Sequence, residues 1–462
     1  MGGVSVYLRD GERQPPPTIL LAELVGSLSI ALDMTEGQPD GHSIRCCWIG
    51  VQIGKALNLD EHAISDLYFT LLLKDLGCSS NAARICETYL TDDISFKSDF
   101  KTIDDSLIAA LRFVFIKTGT SSKLSARINA ILNILKNGRA ISRSLIETRC
   151  SQGAEIAAKM RFSKEVQDGI FSLDEHWDGT GKPNALKENE IPINSNIALL
   201  SQVIDIFYTE KGKKAAIDEV RKRSGRWFSP KLVEAFEVAQ TSLDFWERLD
   251  DSDLYQHVFQ MEPGEKKVNV DEDYIDDIVS AFSDVVDAKS PFTANHSNRV
   301  AYYANLIAEE LNLDASHRRW LRRAALLHDL GKLAVSNQIL DKAGKLNADE
   351  WRVIRAHPTH SERILERISL FKGIASVAGA HHERLDGHGY NRGQTAPDIS
   401  LEARILTVAD VFDALIADRP YRSAMPVQEA LSVLERDIGT AFDQDCVEAL
   451  KCGLARQPHG AA

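Results

Sequence analysis

None of the chain's seven cysteines forms a CxxC pair, and an odd number of them, with Cys46 and Cys47 adjacent, suits neither a disulfide framework nor a zinc knuckle. They read as free thiols in a reducing cytoplasm. Long apolar runs are missing too. The most apolar N-terminal stretch, Ile19 to Leu32, carries Glu23 and is too short to span a bilayer, and no basic region precedes an apolar signal core. A cytoplasmic chain with no membrane partner is expected. Positive charge is in deficit: a formal net charge of −13 and a pI near 5.5 argue against a broad surface for DNA or RNA polymers. Two-residue alternation is absent as well. From Thr18 onward apolar residues recur at three-to-four spacing, as in LVGSLSIAL and LIAALRFVF, so the fold class is all-α.

Against these absences stands a concentration of metal-ligand chemistry. Eight of the thirteen histidines fall between His296 and His388. In order, the candidate ligands are His296, the pair His328-Asp329, His357, the pair His381-His382, and Asp410. Imidazole nitrogen combined with carboxylate oxygen suits borderline divalent ions, and a carboxylate shared between two ions with a bound hydroxide makes a hydrolytic centre. A lone histidine on an apolar helix is usually a satisfied core residue. Here, however, the pairs interrupt apolar helices (AALLHDLGKL, ASVAGAHHERLDG) where packing alone would favour Leu or Ala.

HSNRV at 296–300, HDLGK at 328–332, HPTHSERIL at 357–365, HHERLDGHGYN at 381–391 and ARILTVADVFDALIADRPYR at 403–422 together resemble the HD-GYP class of HD-superfamily phosphohydrolases. The resemblance covers nearly all of 273–450. It implies an all-helical phosphodiesterase with two divalent transition-metal ions, iron or manganese, acting on cyclic dinucleotides. The expected reaction is hydrolysis of cyclic di-GMP to the linear dinucleotide and further to GMP by a metal-bridging hydroxide. It also implies that Asp329 bridges, with His296, His328 and Asp410 on one ion and His357, His381 and His382 on the other. Lys332 resembles the family's phosphate-binding lysine, and Arg419 and Arg422 its cationic pair; Asp413 is a candidate for orienting Lys332 or a ligand. His360 and His388 read as peripheral. Phe292 stands where some members have a third-metal Glu, so two ions are expected. Asn391, Ser336 and Ser361 depart from the family's Pro, Pro and Gly, which bears on loop shape and partner contacts.

The remaining sequence divides in two. Residues 1–17, ending in three prolines, read as a poorly ordered leader. The acidic stretch around 248–272, with Pro263 and Gly264, marks a boundary near 260 and a helix resuming at Asp273. The expected architecture is two tandem HD-type helical domains, 18–260 and 265–462. Laid over the second half, the first places His42 on His296 and Asp75 on Asp329, with the same 33-residue separation, and Asp178-Gly179 on Asp386-Gly387. In that register Lys74, Arg149, Leu173 and Asp174 replace His328, His357, His381 and His382, while Asp205 stands for Asp410. The first half is therefore a degenerate, metal-free HD-like domain with a regulatory or assembly role, and its insertion, roughly 88–145, has no counterpart. Two alternatives stay open: 3'3'-cyclic GMP-AMP as substrate, because metal ligands say nothing about base identity, and a signalling scaffold that binds nucleotide without turnover. A homodimer and signalling-protein partners are also expected.

Overall fold

The computed structural model describes residues 21–103, 107–120, 122–263, 270–419 and 422–456. The leader expected over 1–17 lies outside them. Among the described residues there are helices and isolated bridges but no strand, so the all-α expectation holds. In the first half the elements that matter are α1 (Leu21–Thr35), α2 (His42–Ala56), α3 (Glu61–Leu73), α4 (Asp93–Phe100), α5 (Leu107–Lys117), α6 (Leu124–Lys159) and α7 (Ile193–Lys211). In the second they are α8 (Glu272–Asp287), α9 (His296–Glu310), α10 (Ala315–Leu327), α11 (Ala348–Arg355), α12 (His357–Leu365), α13 (Lys372–Ala380) and α14 (Leu401–Ile416). Their starts are chemically marked. The Asp271, Asp314 and Ser400 side chains accept from the backbone N–H of Tyr274, His317 and Ala403, satisfying donors that a helix leaves unpaired.

The halves repeat one another in detail. A separation of 254 residues carries Asp33, Ser43, Arg45 and Asp75 onto Asp287, Ser297, Arg299 and Asp329. The contacts follow: Ser43 Oγ donates to Asp33 at 2.6 Å and Ser297 Oγ to Asp287 at 2.8 Å. After the insertion the separation becomes 208, relating Arg149 to His357, Asp174 to His382, Glu175 to Glu383 and Asp205 to Asp413. One expectation is corrected here. Asp205 corresponds to Asp413, since His42 and Arg45 grip it as His296 and Arg299 grip Asp413, all four bonds lying between 2.6 and 2.7 Å. Gln202 then occupies the place of Asp410, and two of the seven ligand types survive in the first half, not three. The two acids of α14 sit one turn apart, so local sequence likeness alone could not choose between them.

Beside the expected boundary, Leu254–Gln260 is helical with Leu254 and Val258 buried, and Tyr68 Oη donates to the Val258 carbonyl at 2.9 Å. Asp250 and Asp253 are exposed while this helix packs on α2, which composition alone does not reveal. One apolar cluster runs through both halves, from Leu24 and Leu28 of α1 to Leu330, Leu365 and Phe371, and α1 packs directly on α12 and on the 3-10 turn Leu330–Ala334. The insertion has a cluster of its own, including Tyr89, Phe96, Phe113 and Ile134.

Polar contacts pin the same seam. Asp93, at the start of α4 and fully buried, accepts from Asn337 N at 2.9 Å and Ser336 Oγ at 3.0 Å, and pairs with Lys289 at 3.4 Å. Burial by itself would raise this carboxyl, but Lys289, Lys97 and those donors outweigh it and hold it below the usual range. Its contribution is therefore present at neutral pH and lost as pH falls through the depressed folded value. Asp93→Ala should lower unfolding free energy by about 3–5 kcal/mol, because Lys289 is left buried without its partner. Chemical denaturation at pH 7 checks this, and an unchanged midpoint would place no stability in the pair.

Candidate metal centre

The seven expected ligands come from five places that sequence separates widely. His296 opens α9, His328 caps α10 at its C-terminal end with Asp329 next, and His357 opens α12 just ahead of Pro358. His381 and His382 follow the end of α13, and Asp410 lies on the inner face of α14. Helix ends expected from the Gly331 and Pro358 signals are thus where the ligands sit. Gly331 is required for that approach, because a Cβ there would collide with the His357 carbonyl oxygen. Gly77 meets the carbonyl of Arg149 in the same way, the equivalent pair in the first half. Ser361 is a strut: its Oγ donates to the His328 carbonyl at 2.7 Å and accepts from Gly331 N at 2.8 Å. It therefore bears on the ligand loop itself, not on partner contacts.

Four of the five imidazoles are oriented from behind. The Nδ1–H of His328, His357 and His381 donates to the carbonyl three residues earlier, Ala325, Ile354 and Ala378, at 2.7, 2.6 and 2.5 Å. His296 donates instead to Asp413 at 2.7 Å, and Arg299 holds the same carboxylate at 2.6 Å. Asp413 is fully buried and orients a ligand, as one of its two expected roles required; Lys332 is not its partner. Arg299 is the residue the sequence reading missed. Its only signal was the HSxR spacing shared with His42–Arg45.

With Nδ1 of these four occupied, their Nε2 atoms face inward. Asp329 divides them. Its Oδ2 lies 3.4 Å from His296 Nε2 and 3.3 Å from His328 Nε2, while its Oδ1 lies 3.3 Å from His357 Nε2 and 3.8 Å from His381 Nε2. Asp410 Oδ1 joins the first group, 3.3 Å from His296 Nε2. Two ligands bonded at ~2.1 Å to one ion stand roughly 3–3.4 Å apart, which is the spacing seen. Two neutral imidazoles present Nε2 to Nε2 at 3.2 Å between His357 and His381, a repulsive meeting of lone pairs unless a cation lies between them. Buried His296 Nε2, His328 Nε2 and Asp329 Oδ1 also lack a protein hydrogen-bond partner. The donor set fits metal ions. His357, His381 and His382 form one potential ligand group and His296, His328 and Asp410 another.

The electrostatics separate these groups. Burial would lower His296 and His328, but the carboxylates of Asp329 and Asp410 close beside them overcome it and push them up to about 10 and about 9. Burial and the Lys332 charge instead lower His357, burial and neighbouring histidines lower His381, and burial with His357 brings His382 to about 3. Asp329 and Asp410 are held well below the carboxylate range against the opposing effect of burial.

Lys332 reaches Asp329 Oδ2 at 2.5 Å and keeps some exposure toward solvent. Arg422 does not extend to a ligand site: its guanidinium donates to the carbonyls of Ala414 at 2.6 Å and Leu415 at 2.8 Å, capping the end of α14. Its Nη1 also donates to the Ser423 carbonyl at 3.2 Å, so in this structure the expected substrate-binding guanidinium is engaged with its own backbone surroundings. Arg419 pairs with Arg422 through the backbone, its N–H donating at 2.8 Å. Pro420 and Tyr421 between them lie outside the described residues. His360 and His388 stay outside the ligand groups found among the described residues.

In the first half the equivalent positions carry built-in cations. Lys74 Nζ donates to His42 Nε2 at 3.1 Å and also contacts Asp75, and Arg149 pairs with Asp174. Burial would lower the Lys74 ammonium, yet Asp75 raises it, while burial and Lys74 bring His42 down to about 4. A protonated amine thus faces the imidazole lone pair. His42, Cys46 and Asp205 lie close enough to hold an ion, but Asp205 is already saturated by His42 and Arg45.

A model of the HD domain matches residues 129–232 and 280–446. A Vibrio cholerae serotype O1 protein named 3'3'-cGAMP-specific phosphodiesterase 3 is 52% identical over 441 residues, covering 96% of each chain. A crystal structure of cyclic GMP-AMP specific phosphodiesterases in V. cholerae superimposes with a TM-score of 0.67 at 46% identity, over 96% of this chain and 99% of that one. The cyclic di-GMP phosphodiesterase response regulator RpfG of Xanthomonas campestris is 39% identical over 180 residues, 38% of this chain and 48% of that protein. The chain therefore belongs to the HD-domain family. Within it, this is an HD-GYP cyclic-dinucleotide phosphodiesterase.

Metal loading should release protons. His296 and His328 are protonated in the metal-free protein at pH 7, and ions bind only the neutral imidazole, so loading should expel about two protons per chain. Affinity then falls as pH drops below about 9. Calorimetric titration of metal into stripped protein, in two buffers of different ionisation enthalpy, reads the number; a buffer-independent heat would contradict it.

Proposed function

We propose that this enzyme hydrolyses 3'3'-cyclic GMP-AMP, opening it to a linear dinucleotide in the cytoplasm. The observation that carries the reading is the 52% identity to the Vibrio cholerae cGAMP-specific enzyme across 96% of both chains, the first half included. Relatives named for cyclic di-GMP, RpfG among them, match over 38% of this chain. The preference expected from the motifs, cyclic di-GMP, gives way to the alternative. The seven ligands are indifferent to the bases, so the motif alone could not choose.

Two divalent cations, iron or manganese, held by the two donor groups would act as Lewis acids on the phosphate and lower the pKa of water. Asp329 would bridge them, His296, His328 and Asp410 completing one set and His357, His381 and His382 the other. In the reaction water supplies an oxygen to phosphorus, the P–O3' bond breaks, and the departing oxygen takes up a proton. Lys332, beside Asp329 and open to solvent on its other side, would offset charge on a non-bridging oxygen. Arg419 is the remaining cation of the DRPYR segment available for a second phosphate. The first half, with Lys74 and Arg149 in the place of metals, would hold no catalytic ion pair and would brace the catalytic half through α1 and Asp93. No described helix is long and apolar enough to cross a membrane, which suits that assignment.

Steady-state kinetics with 3'3'-cyclic GMP-AMP and cyclic di-GMP on metal-loaded, full-length enzyme test the substrate. A kcat/KM higher for the mixed dinucleotide by roughly tenfold, about 1.4 kcal/mol of discrimination, is expected. Equal values, or the reverse order, would reject it. Elemental analysis should return two ions per wild-type chain and none for the Asp329→Ala, His381→Ala chain. An ion retained by that double variant would either deny Asp329 its shared role, leaving His296, His328 and Asp410 sufficient, or put metal in the first half.

A further inference from the structure

A line of stacked planar groups runs from solvent to the metal ligands. Trp351 and Arg355 lie one turn apart on α11, which ends two residues before His357. The Arg355 guanidinium carbon is 5.5 Å from the Trp351 ring centre and 5.4 Å from that of Tyr390. Tyr390 in turn lies against His382, with centroids 4.8 Å apart and planes inclined by 33°. His382 is one of the three imidazoles of the second donor group.

This row is placed, not incidental to a loop's wandering. Tyr390 N donates to the His382 carbonyl at 3.1 Å, and Asn391 Nδ2 donates to Thr359 Oγ1 on α12 at 2.6 Å. Arg392 N and Gln394 N donate to buried Glu383. Asn391, where the family pattern has proline, therefore ties the tyrosine loop to the ligand helix. The outer end is open. Trp351 is 44% exposed, and among the described residues no carboxylate pairs with Arg355, although its neighbours Arg352 and Lys342 are paired with Asp349 and Glu350.

An exposed indole and an exposed guanidinium set 5.5 and 5.4 Å from two ring centres make a purine-binding arrangement. Any base can stack on an indole, and an arginine fork matches the O6 and N7 acceptors of guanine, whereas adenine offers an amino donor in place of O6. We propose that Trp351 and Arg355 form the base-recognition subsite of the catalytic half, taking the guanine of the cyclic dinucleotide while its phosphodiester lies at the Asp329 centre. The inference rests on the reading that the substrate is a cyclic dinucleotide. It adds what the metal ligands lack, a means of distinguishing bases.

The test compares Trp351→Ala, Arg355→Ala and Arg355→Lys in the full-length, metal-loaded enzyme on 3'3'-cyclic GMP-AMP, cyclic di-GMP, cyclic di-AMP and the base-free diester bis(p-nitrophenyl) phosphate. Trp351→Ala and Arg355→Ala should raise KM for guanine-containing dinucleotides roughly tenfold or more. That loss should exceed by a similar factor any loss on the base-free diester. Arg355→Ala should also narrow the preference for guanine-containing substrates over cyclic di-AMP, and Arg355→Lys should not restore it, since an ammonium lacks the fork. An equal loss on all four substrates would mean a structural or phosphate-directed role and overturn the subsite. Unchanged KM values would do the same. If the wild type favours cyclic di-GMP over the mixed dinucleotide, the substrate assignment fails while the subsite is still judged on the guanine-containing substrate that is turned over. Calorimetric binding of cyclic di-GMP to metal-stripped wild type and variants decides the case should turnover be too slow to measure.

Discussion

Asp329 has two oxygens and each faces a different set of imidazoles, so the distance between the two sets is the width of one carboxylate. His296 and His328 address Oδ2, and His357 and His381 address Oδ1. Because the group is buried, nothing from solvent can stand in for a misplaced partner. Four chain segments must therefore meet to within tenths of an ångström. The bare approach of Gly331 to the His357 carbonyl, the Ser361 strut and the Nδ1 anchors all serve that meeting. The Arg422 cap serves it too, at one remove, by completing the end of the helix that carries Asp410 and Asp413.

The first half shows what the same frame does when the donors change. A buried carboxylate at the position of Asp329 still needs positive charge, and Asp75 finds it in Lys74 on the same chain. Arg149 with Asp174 does likewise at the second position, while Leu173 adds apolar volume where His381 would be. The His42–Asp205–Arg45 arrangement repeats that of His296, Asp413 and Arg299 even though Lys74 faces its imidazole. Charge balance is kept in both frames, because an unpaired buried carboxylate would cost more than the fold could spare.

Both halves then share one core. The seam between them passes under the turn that carries Lys332, with Leu24 and Leu28 of α1 in the apolar cluster and Asp93 holding the residues that follow the turn. One turn further along α4, Lys97 meets Glu36 in the first half. The Lys332 turn and the matching frame of the first half are thereby both tied to a single short helix.

Much of this could be read from residue order. Periodicity without alternation fixed the helical class, the glycine after His328-Asp329 and the proline after His357 marked helix ends, and the joint motif picked out the ligands. Those are local signals, carried by neighbours in the chain. Tertiary structure alone decided the rest. Asp205 and Asp413 are equivalents because their side chains reach His42 and His296 across the bundle, a choice that two acids one turn apart had left open. Arg422 turned inward to helix carbonyls, and Trp351 with Arg355 turned toward Tyr390, residues whose identity suits surface charge as well as recognition. Where a cation or a ring points depends on what the opposite helix leaves open, and no spacing along one segment contains that information.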